Sequence, residues 1–120
     1  MLNIAQRSTN SGVTVLEIQG RITLGRDAQE LQWKLDELLG GNTKRLIMDL
    51  AGVNVLDSTG IGIIVMSAGK LKEGGGSMRI AGAGGMVAHT LQLCRVSDIV
   101  PMFDNVDAAA ASFVQAAGQA

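Results

Sequence analysis

Val55-Leu56-Asp57-Ser58-Thr59-Gly60-Ile61-Gly62-Ile63-Ile64-Val65-Met66 follows an apolar run, Leu46-Ile47-Met48-Asp49-Leu50, after a short loop containing Gly52. The run reads as part of a third strand, Lys44 to Leu50, apolar enough to be central in a sheet. Asp, Ser and Thr accept hydrogen bonds from the free amides of a first helical turn, so a helix begins at Asp57-Ser58-Thr59. Beyond them the spacing is helical: Ile61, Ile64, Val65, Ala68 and Leu71 fall on one stripe. Thr59, Gly62, Ile63, Met66, Lys70 and Glu73 fall opposite it. Ser58 is therefore a hydroxyl at the positive end of a helix dipole, where a phosphate is also at home. Gly62, Ile63 and Met66 admit two readings. They are ordinary scattered surface residues, or a docking patch with a modifiable hydroxyl at its edge.

Working outward, Leu2 to Gln6 reads as a short edge strand. Val13 to Gln19 alternates, is rich in β-branched residues, and pairs with it as a hairpin. Gly20 to Gly25 leaves the sheet. Asp27 with Glu30 resembles a capping box, and Ala28, Leu31, Leu35, Leu38 and Leu39 form the buried stripe of a first helix ended by Gly40-Gly41. Trp33 falls opposite that stripe, either lying along its own helix or anchoring a partner or a second copy of the chain. After the Ser58 helix, which runs to about Lys72, come a glycine loop, a strand over Ser77–Ala81 and a third helix with Val87, Leu91 and Cys94 on one face. A strand over Ile99–Phe103 follows. Asn105 then caps a last helix that turns Val106, Ala109, Ala110, Phe113, Val114 and Ala117 inward. The expected fold is α/β: one domain over residues 1–120, with a mixed, mostly parallel sheet of about five strands, an N-terminal antiparallel hairpin and about four helices.

Composition narrows the function. The chain has 120 residues, 47% apolar and 18% charged, enough for a real core. A net charge of −1 without a basic cluster, no Tyr, one Trp and two Phe argue against a nucleic-acid partner. A single cysteine, Cys94, forms no internal disulfide and reads as a buried thiol in a reducing compartment. The N-terminus has no signal-peptide pattern, and the longest apolar run, Gly60 to Gly69, is too short to span a bilayer. A cytoplasmic protein that does not insert into membranes is expected. The 16 glycines include neither G-x-G-x-x-G nor a P-loop, so no nucleotide cofactor is implied. Ser58, His89 and Asp57 or Asp49 are the only candidates for a hydrolytic triad, and Ser58 is not in a G-x-S-x-G elbow. One His, one Cys and dispersed carboxylates make no metal shell. Asp49 and Asp57 bracket the loop before the helix and surround Ser58 with negative charge. A binding module, not an enzyme, is the expectation.

Asp57-Ser58-Thr59-Gly60-Ile61-Gly62, directly after Ile47-Met48-Asp49-Leu50 and Val55-Leu56, resembles the signature of STAS domains, and more narrowly of bacterial anti-sigma factor antagonists. Val15 to Ile22 is similar to the family's strand with its Gly-rich exit, and Leu91 to Ile99 to its connection from third helix to last strand. The resemblance implies that Ser58 is phosphorylated by an anti-sigma factor that is also a serine kinase. It implies that the unphosphorylated protein binds that partner and frees the sigma factor, and that a serine phosphatase resets the switch. Asp57, Thr59, Gly62, Ile63 and Met66 are the candidate docking face, with Thr23 beside it. Family members often carry a Gly-Glu-Leu-Asp-like run after the second strand; here it is Gly20-Arg21-Ile22-Thr23. The alternative within the same fold is a STAS subunit of a membrane lipid-transport ABC complex, which binds an ATPase and is not phosphorylated.

Overall fold

The computed structural model describes residues 2–9 and 11–118. β1 (Asn3–Ser8) and β2 (Thr14–Ile22) form an antiparallel hairpin. β3 (Arg45–Leu56), β4 (Ser77–Ala81) and β5 (Met102–Phe103) then join in parallel, giving the order β1-β2-β3-β4-β5. The crossovers carry α1 (Arg26–Leu39), α2 (Ser58–Glu73) and α3 (Gly85–Leu93); α4 (Val106–Gly118) follows β5. Strands added one after another in a single direction by right-handed crossovers place every crossover helix on the same face. The core agrees. Leu31, Leu35, Ile64, Leu71, Val87 and Leu91 of the three helices share one cluster with Leu16, Ile18, Met48, Leu50 and Ile80 of the sheet. The other face is covered by α4, where Ala109 and Phe113 pack on Val13, Val15, Ile47 and Ala81. β3 is buried on both faces, which is why Leu46 to Met48 are apolar without alternation.

The expected five strands, hairpin and four helices are all present, and Asn105 caps α4 by accepting from the Ala108 amide at 2.8 Å. Val114 and Ala117, expected to face inward, lie outside the described side chains. Four local expectations need correction. The segment around Gly52 is not a loop: β3 continues to Leu56, pairing with β2 through Ile22, which does not leave the sheet at Gly20. Two register irregularities absorb the change, and at Gly52 a Cβ would sit 2.7 Å from Gln19 Cγ. A bulged ribbon of this kind hides inside a turn-like sequence. The Asp27–Glu30 capping box does not form. Gly25 caps α1 at φ 116 with no side-chain bond, and the Thr23 carbonyl accepts from the Ala28 amide at 3.2 Å. Cys94 is exposed, because α3 stops at Leu93 and Cys94 is its C-cap. The last strand is only Met102–Phe103, since Val96–Asp98 form a 3-10 turn and the Val100 amide donates to the Val96 carbonyl. No helix among the described residues is long and apolar enough to cross a membrane.

Candidate functional site

β2 and β3 run past the end of β4, and α2 starts directly off the tip of β3. Asp57 stands at that corner in an extended conformation, φ −98 and ψ −178. Its amide donates to the Ile22 carbonyl at 3.2 Å, and its carbonyl accepts from the Ile61 amide at 3.0 Å. One carboxylate oxygen accepts from the Gly60 amide at 3.0 Å, closing the first turn of α2. The other accepts from the Leu24 amide at 2.8 Å, across 33 residues of sequence. Asp57 thus caps the helix and ties the β2–α1 loop to it. The amides of Gly60 first, and then of Leu24, hold its carboxyl below the ordinary 3.8 by stabilising the ionised form.

Gly60 makes the corner possible. A Cβ there would lie 2.6 Å from Leu56 Cδ1, 2.7 Å from Ile22 Cγ2 and 3.0 Å from the Ile22 carbonyl oxygen. Only a residue without a side chain lets α2 close this tightly over the ends of β2 and β3.

Ser58 is the first residue of α2 and is exposed; its hydroxyl makes no hydrogen bond among the described residues. The structure brings the expected docking residues around it in part. Thr23 is half-buried and adjoins Asp57 through its neighbour Leu24. Thr59 and Gly62 are half-buried on α2, and Met66 is 64% exposed two turns along. Ile63 is half-buried and packs partly against the core, so its share of the outward face is smaller than its spacing implies. Asp49 does not stand near Ser58. It sits mid-strand beside Glu17 and Ala81, eight positions before Asp57, which at strand rise is more than about 20 Å away. Asp57 is the carboxylate that adjoins Ser58.

Sequence reading missed Leu24, which is 78% exposed beside the Asp57 corner. An apolar residue alone in a polar loop was the available signal. Val55 and Met86 are also exposed at this end, where a cavity of ≈300 Å³ is lined by Asn54, Val55, Leu56, Met86, Val87 and Thr90. Among the described residues no hydrogen bond joins Ser58, His89 and a carboxylate, and no group of three or more His, Cys, Asp or Glu could hold a metal ion. The arrangement is a preset surface: an unbonded hydroxyl at a helix N-terminus, with exposed apolar side chains to either side.

No curated protein sequence matched the chain. Solved structures did. An anti-sigma factor antagonist from Mycobacterium paratuberculosis is 21% identical with a TM-score of 0.84, covering 93% of each chain. The Bacillus cell fate determinant SpoIIAA in its phosphorylated form is 12% identical with a TM-score of 0.73, covering 92% of this chain and 99% of that one. The STAS domain of a SulP transporter from Vibrio cholerae is 16% identical with a TM-score of 0.70, covering 87% and 82%. At these identities the likeness is one of fold. The STAS family model matches residues 5–109. With the capped Asp57-Ser58 corner and the hairpin-led parallel sheet, this places the chain in the STAS domain family.

Proposed function

We propose that the chain is an anti-sigma factor antagonist, a binding module switched by phosphorylation of Ser58. The observation that carries the reading is the exposed, unbonded Ser58 hydroxyl, set in a fixed place by Asp57 and Gly60 and flanked by exposed Leu24 and Met66. Likeness in fold to anti-sigma factor antagonists supports it; SpoIIAA, itself described as one, has been solved in a phosphorylated form. Unphosphorylated, the face formed by Asp57, Thr59, Gly62, Met66, Thr23 and part of Ile63 docks an anti-sigma factor with serine kinase activity. Phosphorylation adds roughly −1.5 to −2 charges and three acceptor oxygens. The helix N-terminus accommodates that charge, so the fold survives. A docked apolar partner does not, because desolvating the phosphate against Leu24 and Met66 is costly. The switch acts at the interface without refolding, and a serine phosphatase reverses it.

The test is incubation with ATP and a histidine-kinase-like anti-sigma factor encoded beside the chain's gene, followed by peptide mapping. Phosphate on Ser58, and binding weakened at least about tenfold by Ser58→Asp, are expected. Equal binding by Ser58→Asp and the parent protein would sink the switch. The competing role, a STAS subunit of a membrane lipid-transport ABC complex, predicts no phosphate on Ser58.

A further inference from the structure

Lys44, Arg45 and Arg79 line one cavity of ≈390 Å³ together with Gly75, Gly76, Ser77 and Phe113. It lies at the N-terminal ends of β3 and β4, where pairing sets Arg45 beside Ser77 and Ile47 beside Arg79. Among the described residues no carboxylate lines it, and none of the three cations belongs to an ion pair. In a chain of net charge −1, three positive groups around one small space call for a reason.

Arg45 and Arg79 are half-buried, and Arg79 is the one fixed by its neighbours. Its guanidinium carbon lies 4.3 Å from the centre of the Phe113 ring. Nε donates to Ser112 Oγ at 3.0 Å, and Nη1 donates to Ser77 Oγ at 2.8 Å and to the Met78 carbonyl at 3.2 Å. Nη2 donates to nothing among the described residues. Burial lowers the pKa of Arg79, as it must when a cation loses water and gains no acid in return. Lys44 has an internal partner, the Gly74 carbonyl just past the C-terminus of α2, where a cation is favourable. That explains Lys44; among the described residues the Arg45 side chain has no hydrogen bond or ion pair, and Arg79 has neutral partners but no acid.

We propose that this cavity binds a phosphate-type oxyanion, free or carried as the phosphate ester of a small molecule. Arg79 is held in place by Phe113, Ser112 and Ser77, so its free Nη2 is a preset, charged donor for an oxyanion. Lys44 and Arg45 complete the charge around it. The volume is that of a small-ligand site, and the Phe113 and glycine walls leave room for a short organic tail. The cavity is at the far end of α2 from Ser58, 16 residues and about 24 Å along the helix, so its fate is separate from that of the switch.

The experiment is titration of inorganic phosphate, glycerol phosphate and acetate, each at constant ionic strength, into the isotope-labelled full chain while backbone amide shifts are followed. Saturable shifts at Arg45, Gly75, Gly76, Ser77 and Arg79 are expected with both phosphates and not with acetate. Tighter binding of the ester identifies a small-molecule source, and equal binding identifies the free ion. A Lys44→Gln, Arg45→Gln double variant, shown to be folded by its amide spectrum, should lose at least about tenfold in affinity. Shifts that never saturate, shifts alike for all three anions, or undiminished binding by the folded double variant would overturn the proposal.

Discussion

Asp57 does two jobs with one side chain, so its substitution should cost more than an ordinary cap. Asp57→Ala is expected to lower unfolding free energy by about 1–2 kcal/mol in urea denaturation, the upper part of the range for lost N-caps. The acid limb carries the sign of the effect. The folded carboxyl titrates below the ordinary 3.8, so its contribution is complete above that value and is lost as pH falls through the lower folded value. Asp57→Asn should therefore remove part of the stability slope in that window, read by melting temperature against pH. Ser58→Ala should leave stability within about 0.5 kcal/mol, since the hydroxyl is exposed and unbonded. Gly60→Ala should destabilise by about 1–3 kcal/mol, because its methyl meets Leu56, Ile22 and the Ile22 carbonyl at once. Asp57 and Ser58 were legible from residue type and position alone. The bond from Asp57 to the Leu24 amide was not, because nothing local signals a partner 33 residues away.

At the scale of an element, two of the three glycines in α2 have opposite meanings. Gly60 is required by packing, whereas a Cβ at Gly62 would meet nothing within 4 Å. The helix thus gives up stability at Gly62 with no return inside the molecule. Gly62→Ala should raise unfolding free energy by about 0.5–1 kcal/mol and at the same time weaken docking, if a partner backbone approaches this face closely. Denaturation and a binding assay on the same variant check both halves. The core stripe of α2 could be read directly, since Ile64, Ala68 and Leu71 keep helical spacing and are buried. The outer half of β3 could not. Gly52 and Asn54 look like turn residues, and only pairing with β2, with the extra residues bulged out on β3, makes Ala51 to Leu56 a strand. α1 shows the same limit in reverse: a plausible Asp27–Glu30 cap lost to backbone bonds from Thr23 and Gly25.

For the whole molecule, the alternation of strands and helices was enough to predict a hairpin-led parallel sheet. Handedness then placed three helices on one face. The remaining face depends on α4, and chiefly on Phe113, which packs against Val13, Val15 and Ile47 and stacks on Arg79. Phe113→Ala should cost about 3–5 kcal/mol, measured by denaturant unfolding, and should disturb the Arg79 cavity as well. The order β1-β2-β3-β4-β5 also bears on synthesis. Each strand leaving the ribosome finds its neighbour already made, so assembly can follow translation with no strand inserted between two others. The exception is the α4 face. Val13 and Val15 emerge near the start and wait almost the whole length of the chain for Ala109 and Phe113. Until then the nascent sheet presents a bare apolar side, and that interval is when the protein is most open to chaperones and to aggregation.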